Sequence, residues 1–508
     1  MAAGWTGLQA FCVAIAALSQ TPEQTGPREA NGAQASATSS TALPLTYDEA
    51  ADRLRATSSL SRAAGHAVEA AEAQAQVAAG LNRPTVSLDA QVIRYRKTFD
   101  LSLSDALDRA QSDLGAALPG LIADLPGVPG DVLTVVGQRL QAALPEIFTA
   151  LPSDIRLQTD ETAFRPTVMA LQPIYTGGAI PALRRAAAAN VDLAEARRQE
   201  ALGLEDVNLA RAYFGQVLAA EALRIAVDTR EGFDLHLANA RRMEAEGVLS
   251  RAQVLQVAVA RDAAQRQVNR AELEHENAVA SLVRVTDVEA GVAPVTALFV
   301  NRASVGPLDV FLERAARSND RIAQARAGRD LAEAGVDLAT SRLRPSVFAF
   351  GTYNLRRESA LPTEPDWAVG VGARYTLMSS LDRRRMVGAA RAQASAAGEA
   401  ERQAHDDARL LVTRAYNQAE LARRQFFSLE SSLEAARENL RVQEVGFREG
   451  EATAASVIDA RNLLGTARLQ RAAAAYEYVL SLAALLTASG GDQSLSDYLQ
   501  REDRISAP

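Results

Sequence analysis

The sequence has little of what catalytic and metal-binding proteins commonly use. Among its 508 residues there is one cysteine, Cys12, and only 5% of the residues are aromatic. Because Cys12 lies in an apolar N-terminal run, a processed chain would contain no thiol for a disulfide or a metal. The four histidines are scattered and form no H-E-x-x-H pattern, so the sequence predicts neither a metal site nor a cofactor. A Walker P-loop and a G-x-S-x-G elbow are also missing, which argues against an enzyme and an energy-coupling centre.

Charge of one sign is not concentrated anywhere in the chain. The formal net charge is −8, acidic residues and arginines are interspersed, and lysine occurs once, at Lys97. Interspersed charges are typical of solvated helix surfaces and leave no basic face for nucleic acid. A composition rich in Ala, Arg, Glu and Gln favours long helices.

Apolar runs of membrane-helix length are also missing. The nearest, residues 472–488, is broken by Glu477, and we interpret it as a buried helix end. Residues 8–18 form a shorter apolar stretch after a small-residue start, so we predict a signal peptide at 1–18 and a flexible lead at 19–43. A membrane-inserted part of the processed chain would therefore have to consist of strands.

The chain is a duplication of one unit. Matching features of its two halves follow the same order, the last three pairs at identical spacing: Arg83-Pro84 and Arg344-Pro345, Arg211-Ala212-Tyr213 and Arg414-Ala415-Tyr416, Gly247 and Gly450, Val254 and Val457. Each half predicts the order helix, strand, strand, long helix, glycine break, long helix. We place a first repeat at 44–290, a linker at 291–305, a second repeat at 306–490 and a C-terminal tail at 491–508.

The segment 367–377 alternates between apolar residues and small or polar ones, as a strand with two different faces does. Its apolar face carries Trp367 and Tyr375, whose separation along a strand is about the height of the apolar band between the aromatic girdles of a membrane barrel. Residues 86–92 alternate in the same way. We predict strands with one face toward lipid, with Trp367 and Tyr375 as girdle residues. A soluble sheet with one buried face would give the same pattern.

Two alanine-rich segments, 178–246 and 380–449, predict helices of about 68 residues, which is about 100 Å at 1.5 Å per residue. Leu, Val and Ile recur in them at three- and four-residue spacings, a pattern typical of coiled coils. Glycine at Gly247 and Gly450 would reverse the chain, so that a second helix in each half returns antiparallel to the first. Two such hairpins predict the wall of an α-helical barrel.

In their duplicated order these features resemble the TolC family of outer-membrane channel-tunnels, over roughly 45–490. The residues that carry the resemblance are Leu45-Thr46-Tyr47-Asp48-Glu49-Ala50 at the first helix, the Arg-Pro strand openings at Pro84 and Pro345, and Gln172-Pro173-Ile174-Tyr175-Thr176-Gly177-Gly178 before the first long helix. The resemblance implies a mainly α fold with a small transmembrane β part. Three subunits would contribute four strands each to one twelve-stranded β-barrel, which an α-helical barrel tunnel continues across the periplasm.

The resemblance also implies a function and partners. It implies a passive, porin-like duct in the outer membrane, belonging to a tripartite efflux pump or to a type I secretion system. A homotrimer would couple to an inner-membrane transporter through a periplasmic adaptor protein. A soluble coiled-coil structural or interaction protein is the alternative that the residues leave open.

By the same resemblance, the ends of the two helical hairpins dock the adaptor, and residues just beyond them form the periplasmic gate. The docking residues are Gly247, Val248, Leu249, Ser250, Gly450, Glu451, Ala452 and Thr453. The family's gate is lined by aspartates at two positions in the second half, which are Ser456 and Asp459 here. Gln253 and Gln256 hold the corresponding positions of the first half.

One segment departs from the resemblance. Residues 97–164, between the first two strands, are far longer than the family's usual connection. Within this insertion, 101–117 and 132–150 predict helices, with three prolines, the first of them Pro119, in the turn between the helices. We expect an ordered extracellular insertion over the mouth of the barrel.

Overall fold

The computed structural model describes residues 43–123, 130–288, 291–356, 365–490 and 493–507. The predicted signal peptide and the lead up to residue 42 lie outside the described residues. The elements of the first half are β1 (Leu43–Leu45), α1 (Tyr47–Thr57), α2 (Ser59–Ala79), β2 (Thr85–Ser102), α3 (Ser104–Ala123), α4 (Gly130–Thr149), β3 (Asp154–Tyr175), α5 (Ala179–Ala245), α6 (Arg251–Thr286) and β4 (Val292–Pro294).

The second half repeats this order without the inserted helices. Its elements are β5 (Phe299–Asn301), α7 (Leu308–Ser318), α8 (Asp320–Ser341), β6 (Ser346–Asn354), β7 (Trp367–Arg374), α9 (Arg383–Arg448), α10 (Ala454–Ser489), α11 (Leu495–Leu499) and β8 (Arg504–Ser506). The predicted linker contains β4 and β5. The repeat boundaries themselves stay a prediction.

The long helices confirm the predicted lengths. Helices α5 and α9 have 67 and 66 residues, so each is about 100 Å long. Toward the strands they pack with α2 and α8, and toward the other end with α6 and α10. Alanine at many buried positions lets the helices approach closely, as at Ala189, Ala196 and Ala240.

The four long strands form one antiparallel sheet in the order β2-β3-β6-β7. Strands β2 and β7 are its edges, so the sheet of a single chain is open. The fold class predicted from the sequence is confirmed: the chain is mainly helical, and four strands stand at one end of the helices.

A compact belt surrounds the middle of the long helices. Strand β1 pairs with β4 and β5 pairs with β8, and the aromatic core under them includes Tyr213, Phe299 and Tyr478. The Tyr213 hydroxyl donates to the Leu45 carbonyl at 2.7 Å and accepts from two backbone amides that follow β4. In the matching motif of the second half, Tyr416 donates to the Gly306 carbonyl at 3.0 Å. The repeated tyrosines therefore hold the belt to the helices.

Helix α10 is the one helix in the described part of the chain that is long and apolar enough to cross a membrane by length and composition. About two thirds of its apolar window is buried. Leu482 and Leu485 near its end are fully buried in the belt core. The interpretation of residues 472–488 as a buried helix end agrees with this packing.

The insertion differs from its prediction at both ends. Strand β2 continues through Lys97 to Ser102, and β3 begins at Asp154, so the outer parts of 97–164 are paired strand rather than loop. Helix α3 runs to Ala123 and contains Pro119, whose placement in the turn was therefore wrong. A proline inside a helix removes one backbone donor and crowds the carbonyl four residues earlier, so it disfavours a helix without always ending it. The other two prolines lie outside the described residues.

Candidate functional site

The two ends of the helical hairpins are built alike. In the first, Gly247 has φ +77° and its amide donates to the Glu244 carbonyl at 3.0 Å, while the Val248 amide donates to Met243. In the second, Gly450 has φ +81° and donates to the Phe447 carbonyl at 3.2 Å. Only glycine adopts this left-handed conformation at low cost, so the predicted glycine breaks are helix C-terminal turns.

Each return helix opens with a capping box. The Ser250 hydroxyl accepts from the Gln253 amide, and the Gln253 side chain accepts from the Ser250 amide at 3.1 Å. Thr453 and Ser456 exchange the same two hydrogen bonds, both at 3.1 Å. Two of the four residues predicted for the gate, Gln253 and Ser456, thus cap helices with their side chains.

The remaining predicted gate residues, Gln256 and Asp459, are exposed one turn further along α6 and α10. They occupy equivalent places in the two halves, but only Asp459 carries a charge. Asp459 is therefore the one charged residue among the four predicted for the gate.

The predicted docking surface has different chemistry in its two halves. Val248 is 61% exposed and Leu249 half-buried in the first turn, whereas Glu451 is exposed and Ala452 half-buried in the second. The end of the molecule therefore alternates an apolar turn with an acidic one.

A buried core joins the two turns, and the sequence interpretation missed it. It contains Leu237 from α5, Val254 from α6, Leu440 and Phe447 from α9, and Val457 from α10. The α9–α10 pair contributes more of its residues than α5 and α6 do. The apolar spacing that predicts the coiled coils also marks these residues as buried. That spacing does not predict which residues of the two hairpins contact each other.

His236 and Arg461 lie behind these turns. The His236 ring packs edge-on against Phe447 with centroids 4.6 Å apart. Arg461 pairs with Glu444 and lies over the Phe233 ring at 5.9 Å. Burial lowers the pKa of His236, a hydrogen bond with the Ala454 backbone opposes that shift, and the Arg461 charge adds to it. His236 is therefore neutral at pH 7 and sits where the first hairpin touches the second.

The exposed face of the sheet agrees with the predicted alternation. Along β7, Trp367, Val369 and Val371 are 62%, 75% and 69% exposed, while the residues between them are half-buried. Tyr375, the second predicted girdle residue, is exposed just beyond the end of the strand, which stops at Arg374 rather than at Leu377.

The opposite face of the sheet carries two aromatic rings that the sequence interpretation did not single out. Phe348 and Phe350 project from β6 toward Gly372 and Gly370 of β7, which lie opposite them. A Cβ at Gly372 would lie 2.7 Å from the Phe348 ring, and one at Gly370 would lie 2.9 Å from the Phe350 ring. The glycines therefore make room for the rings, a device that also covers the bare glycine backbone.

An open four-stranded sheet continued by helices of about 100 Å defines the channel-tunnel class of fold. The sequence resemblance is confirmed by a family model described as outer membrane efflux protein, which matches residues 311–491. No curated protein matches the chain.

Solved structures share the fold over nearly the whole chain. The CmeC outer membrane channel of Campylobacter jejuni is 13% identical, with a TM-score of 0.68, covering 96% of this chain and 98% of that one. The MtrE outer membrane channel of Neisseria gonorrhoeae is 18% identical, with a TM-score of 0.64 and coverage of 88% and 89%. CusC, whose structures concern transmembrane channel formation, is 14% identical, with a TM-score of 0.69 and coverage of 94% and 100%.

Proposed function

We propose that this chain is one subunit of a homotrimeric outer-membrane export duct whose tunnel extends into the periplasm. The observation that carries the proposal is the open sheet. Its β2 and β7 edges leave backbone donors and acceptors unpaired, which lipid cannot satisfy. Pairing β2 of one copy with β7 of the next closes the sheet over the length of β7, and three copies give twelve strands. The apolar outer face with Trp367 supplies the surface that lipid requires.

The duct is passive and works with partners. The long helices provide a wall and no site for chemistry, so energy for export would come from an inner-membrane transporter. The alternating apolar and acidic turns, at Val248 and Glu451, are a surface on which a periplasmic adaptor would dock. The fold serves small-molecule efflux and type I secretion of polypeptides equally, and the family match to efflux proteins favours efflux.

The closest approach of the copies would lie near Asp459. Three carboxylates around a symmetry axis attract cations and bind multivalent ones when a narrow pore limits screening. Ser456, Gln253 and Gln256 add polar but uncharged groups at the same end. The gate of this protein would therefore hold one ring of charge.

Fractionation and electrophysiology test the proposal. Outer membranes should contain a detergent-extractable species of three subunits, which conducts ions in planar bilayers. A soluble monomer would overturn it and favour a coiled-coil interaction protein instead.

The gate is tested separately on the reconstituted trimer. Trivalent cations added from the periplasmic side should block the current, and Asp459→Asn should weaken both the block and the cation selectivity. The exposed Asp262, on α6, offers a control, because Asp262→Asn also removes one carboxylate per subunit. Equal effects of the two substitutions would remove Asp459 from the gate.

A further inference from the structure

The outer face of the ribbon formed by β2 and β3 changes from apolar to charged above Val92. The register of the two strands has no break along β2, so its even-numbered residues stay on one face. That face carries Leu88 and Val92, which are 65% and 70% exposed, and then Arg94 and Arg96. Arg96 pairs at 2.7 Å with Asp160, which lies directly opposite on β3. The lipid-facing surface therefore ends at about Val92.

The other face of this ribbon becomes mixed above the membrane. In the four-stranded sheet it carries Asp89, which would face the lumen. Further along, its register positions include Lys97 between the apolar Ile93 and Leu101, and Leu101 lies directly opposite Ile155. Leu101 and Ile155 are 51% and 42% exposed. The apolar residues of this mixed face point to the barrel axis above the membrane, where lipid does not cover them, so they are available to another partner.

The inserted helices carry a second uncovered apolar surface. Leu118 and Leu144 are buried between α3 and α4. Beside them runs a stripe of exposed apolar residues at helical spacing, here called the hairpin stripe: Leu114 and Leu121 on α3, and Val132, Val136, Leu140 and Ile147 on α4. An exposed apolar stripe of this length on a surface is typical of a site that packs against a partner. The hairpin therefore offers a surface for a further partner.

Copies of the same chain are within reach. Twelve strands spaced about 4.8 Å apart and tilted by about 40° close a barrel about 24 Å across. Helices α3 and α4, with 20 residues each, are about 30 Å long. A hairpin that starts at the end of the β2–β3 ribbon, above the rim, is long enough to reach the axis, and symmetry brings the hairpins of the two neighbours to the same place.

We propose that the three α3–α4 hairpins of one trimer pack on each other through the hairpin stripe and form an apolar cap above the barrel mouth. The ribbon faces with Ile93 and Leu101 would line the inside of this cap. The proposal rests on the proposed trimer, since its partner is the neighbouring copy already joined through the β2 and β7 edges. If lipid were the partner, the apolar residues would be expected on the outer face of the ribbon. That face carries Arg94 and Arg96 at this level.

Two cysteine variants in a Cys12→Ser background test the cap. Val136→Cys lies in the hairpin stripe, and Gln138→Cys, two residues away, is exposed on the polar side of the same helix. A short bismaleimide applied to outer membranes should link Val136→Cys into covalent dimers, at least ten-fold more than Gln138→Cys. A membrane-impermeant maleimide on whole cells should label Gln138→Cys and spare Val136→Cys.

Each other outcome overturns the cap. Equal labelling without cross-links means that the stripe is open to solvent, and protection without cross-links means that lipid or another protein covers it. The mass of the intact complex, extracted from the same membranes without cross-linker, distinguishes failure of the cap from failure of the trimeric duct. A trimer whose stripes stay unlinked removes the cap alone, whereas a missing trimer removes the duct as well.

Single-channel conductance gives a second test of the cap that does not depend on cross-linking. Val136→Asp places charge in the hairpin stripe and should raise single-channel conductance several-fold in intact trimers. Gln138→Asp should leave conductance unchanged. An equal conductance for Val136→Asp and the parent would overturn a closed cap.

Discussion

The two halves of the chain share a backbone but differ in what they bury. Their hairpin turns have the same glycine conformation and the same capping boxes, at Gly247 and Ser250 and again at Gly450 and Thr453. At the position three residues before each glycine, however, the first half has Glu244 and the second has Phe447, which is 2% exposed. The glycine and capping positions are therefore alike in both halves, while this packing position has diverged.

The largest expected effect comes from the residue that differs most between the halves. Phe447→Ala empties a buried site among α5, α9 and α10, so it should destabilise the hairpin ends by about 3–5 kcal/mol. Glu244→Ala, at the equivalent and partly exposed position, should change stability by less than about 0.5 kcal/mol. Denaturant unfolding and hydrogen exchange of α9 and α10 measure both. Similar losses for the two variants would contradict the unequal burial.

The two faces of the sheet give the next comparison. Gly370→Val on the inner face forces the Phe350 ring to move and should cost about 1–3 kcal/mol. Gly351→Val points to the outer face, where a Cβ would meet ordinary contacts of 3.9 Å, so its cost should be small. The thermal stability of purified trimers distinguishes them. A Gly351→Val trimer less stable than the Gly370→Val trimer would reverse the assignment of faces.

The glycines of the turns should have equal effects, because at both positions a Cβ would enter open space and only the backbone conformation disfavours other residues. Gly247→Val and Gly450→Val should each cost about 1–2 kcal/mol. Trimers should persist, while adaptor docking and export are lost. Asn in place of Val tolerates the left-handed conformation better and serves as the control. Normal export by both Val variants would remove the turns from the docking surface.

The smallest expected effect is a dependence on pH at His236, whose second-half equivalent is Asn439. Because the pKa of His236 is lowered below 6.5, the unfolded chain binds a proton that the folded chain does not. The contribution to stability is complete above pH 6.5 and declines as the pH falls toward the lowered pKa. His236→Asn should flatten this slope between about pH 7.5 and pH 5.5 in denaturant unfolding. An unchanged slope would assign the dependence to other groups.

Much of the fold was predictable because it repeats. The spacing from Tyr213 to Gly247 returns from Tyr416 to Gly450, and uninterrupted helix-forming sequence fixes the lengths of α5 and α9. The alternation along β7 predicted which residues face outward, since the side chains of a strand point to only two faces. These features are local, so the sequence of one segment is enough to define them.

Features that depend on distant neighbours were missed or misplaced. In the sequence, Phe348 and Phe350 look like ordinary strand residues. Their role is seen only in the sheet, where Gly370 and Gly372 of β7 lie beside their rings. The end of β2 was set too early at Lys97, because strand pairing with β3 carries polar residues well beyond the lipid-facing segment. Gln253 and Ser456 each lie three residues after a Ser or Thr, a spacing that indicates a capping box. The position of His236 between the hairpins, by contrast, is known only from its contact with Phe447.

The open edges of the sheet make assembly a reaction between chains. In the proposed trimer the first two pairings join β2 to β7 of separate copies, so their rates depend on subunit concentration and fall steeply as subunits become scarce. Until then each chain presents two exposed edges, which favour pairing with any other extended segment. A subunit in transit would therefore be exposed to aggregation and proteolysis, and a periplasmic chaperone or rapid insertion would protect it. Production of functional channels should decline more than proportionally when expression of the chain is reduced.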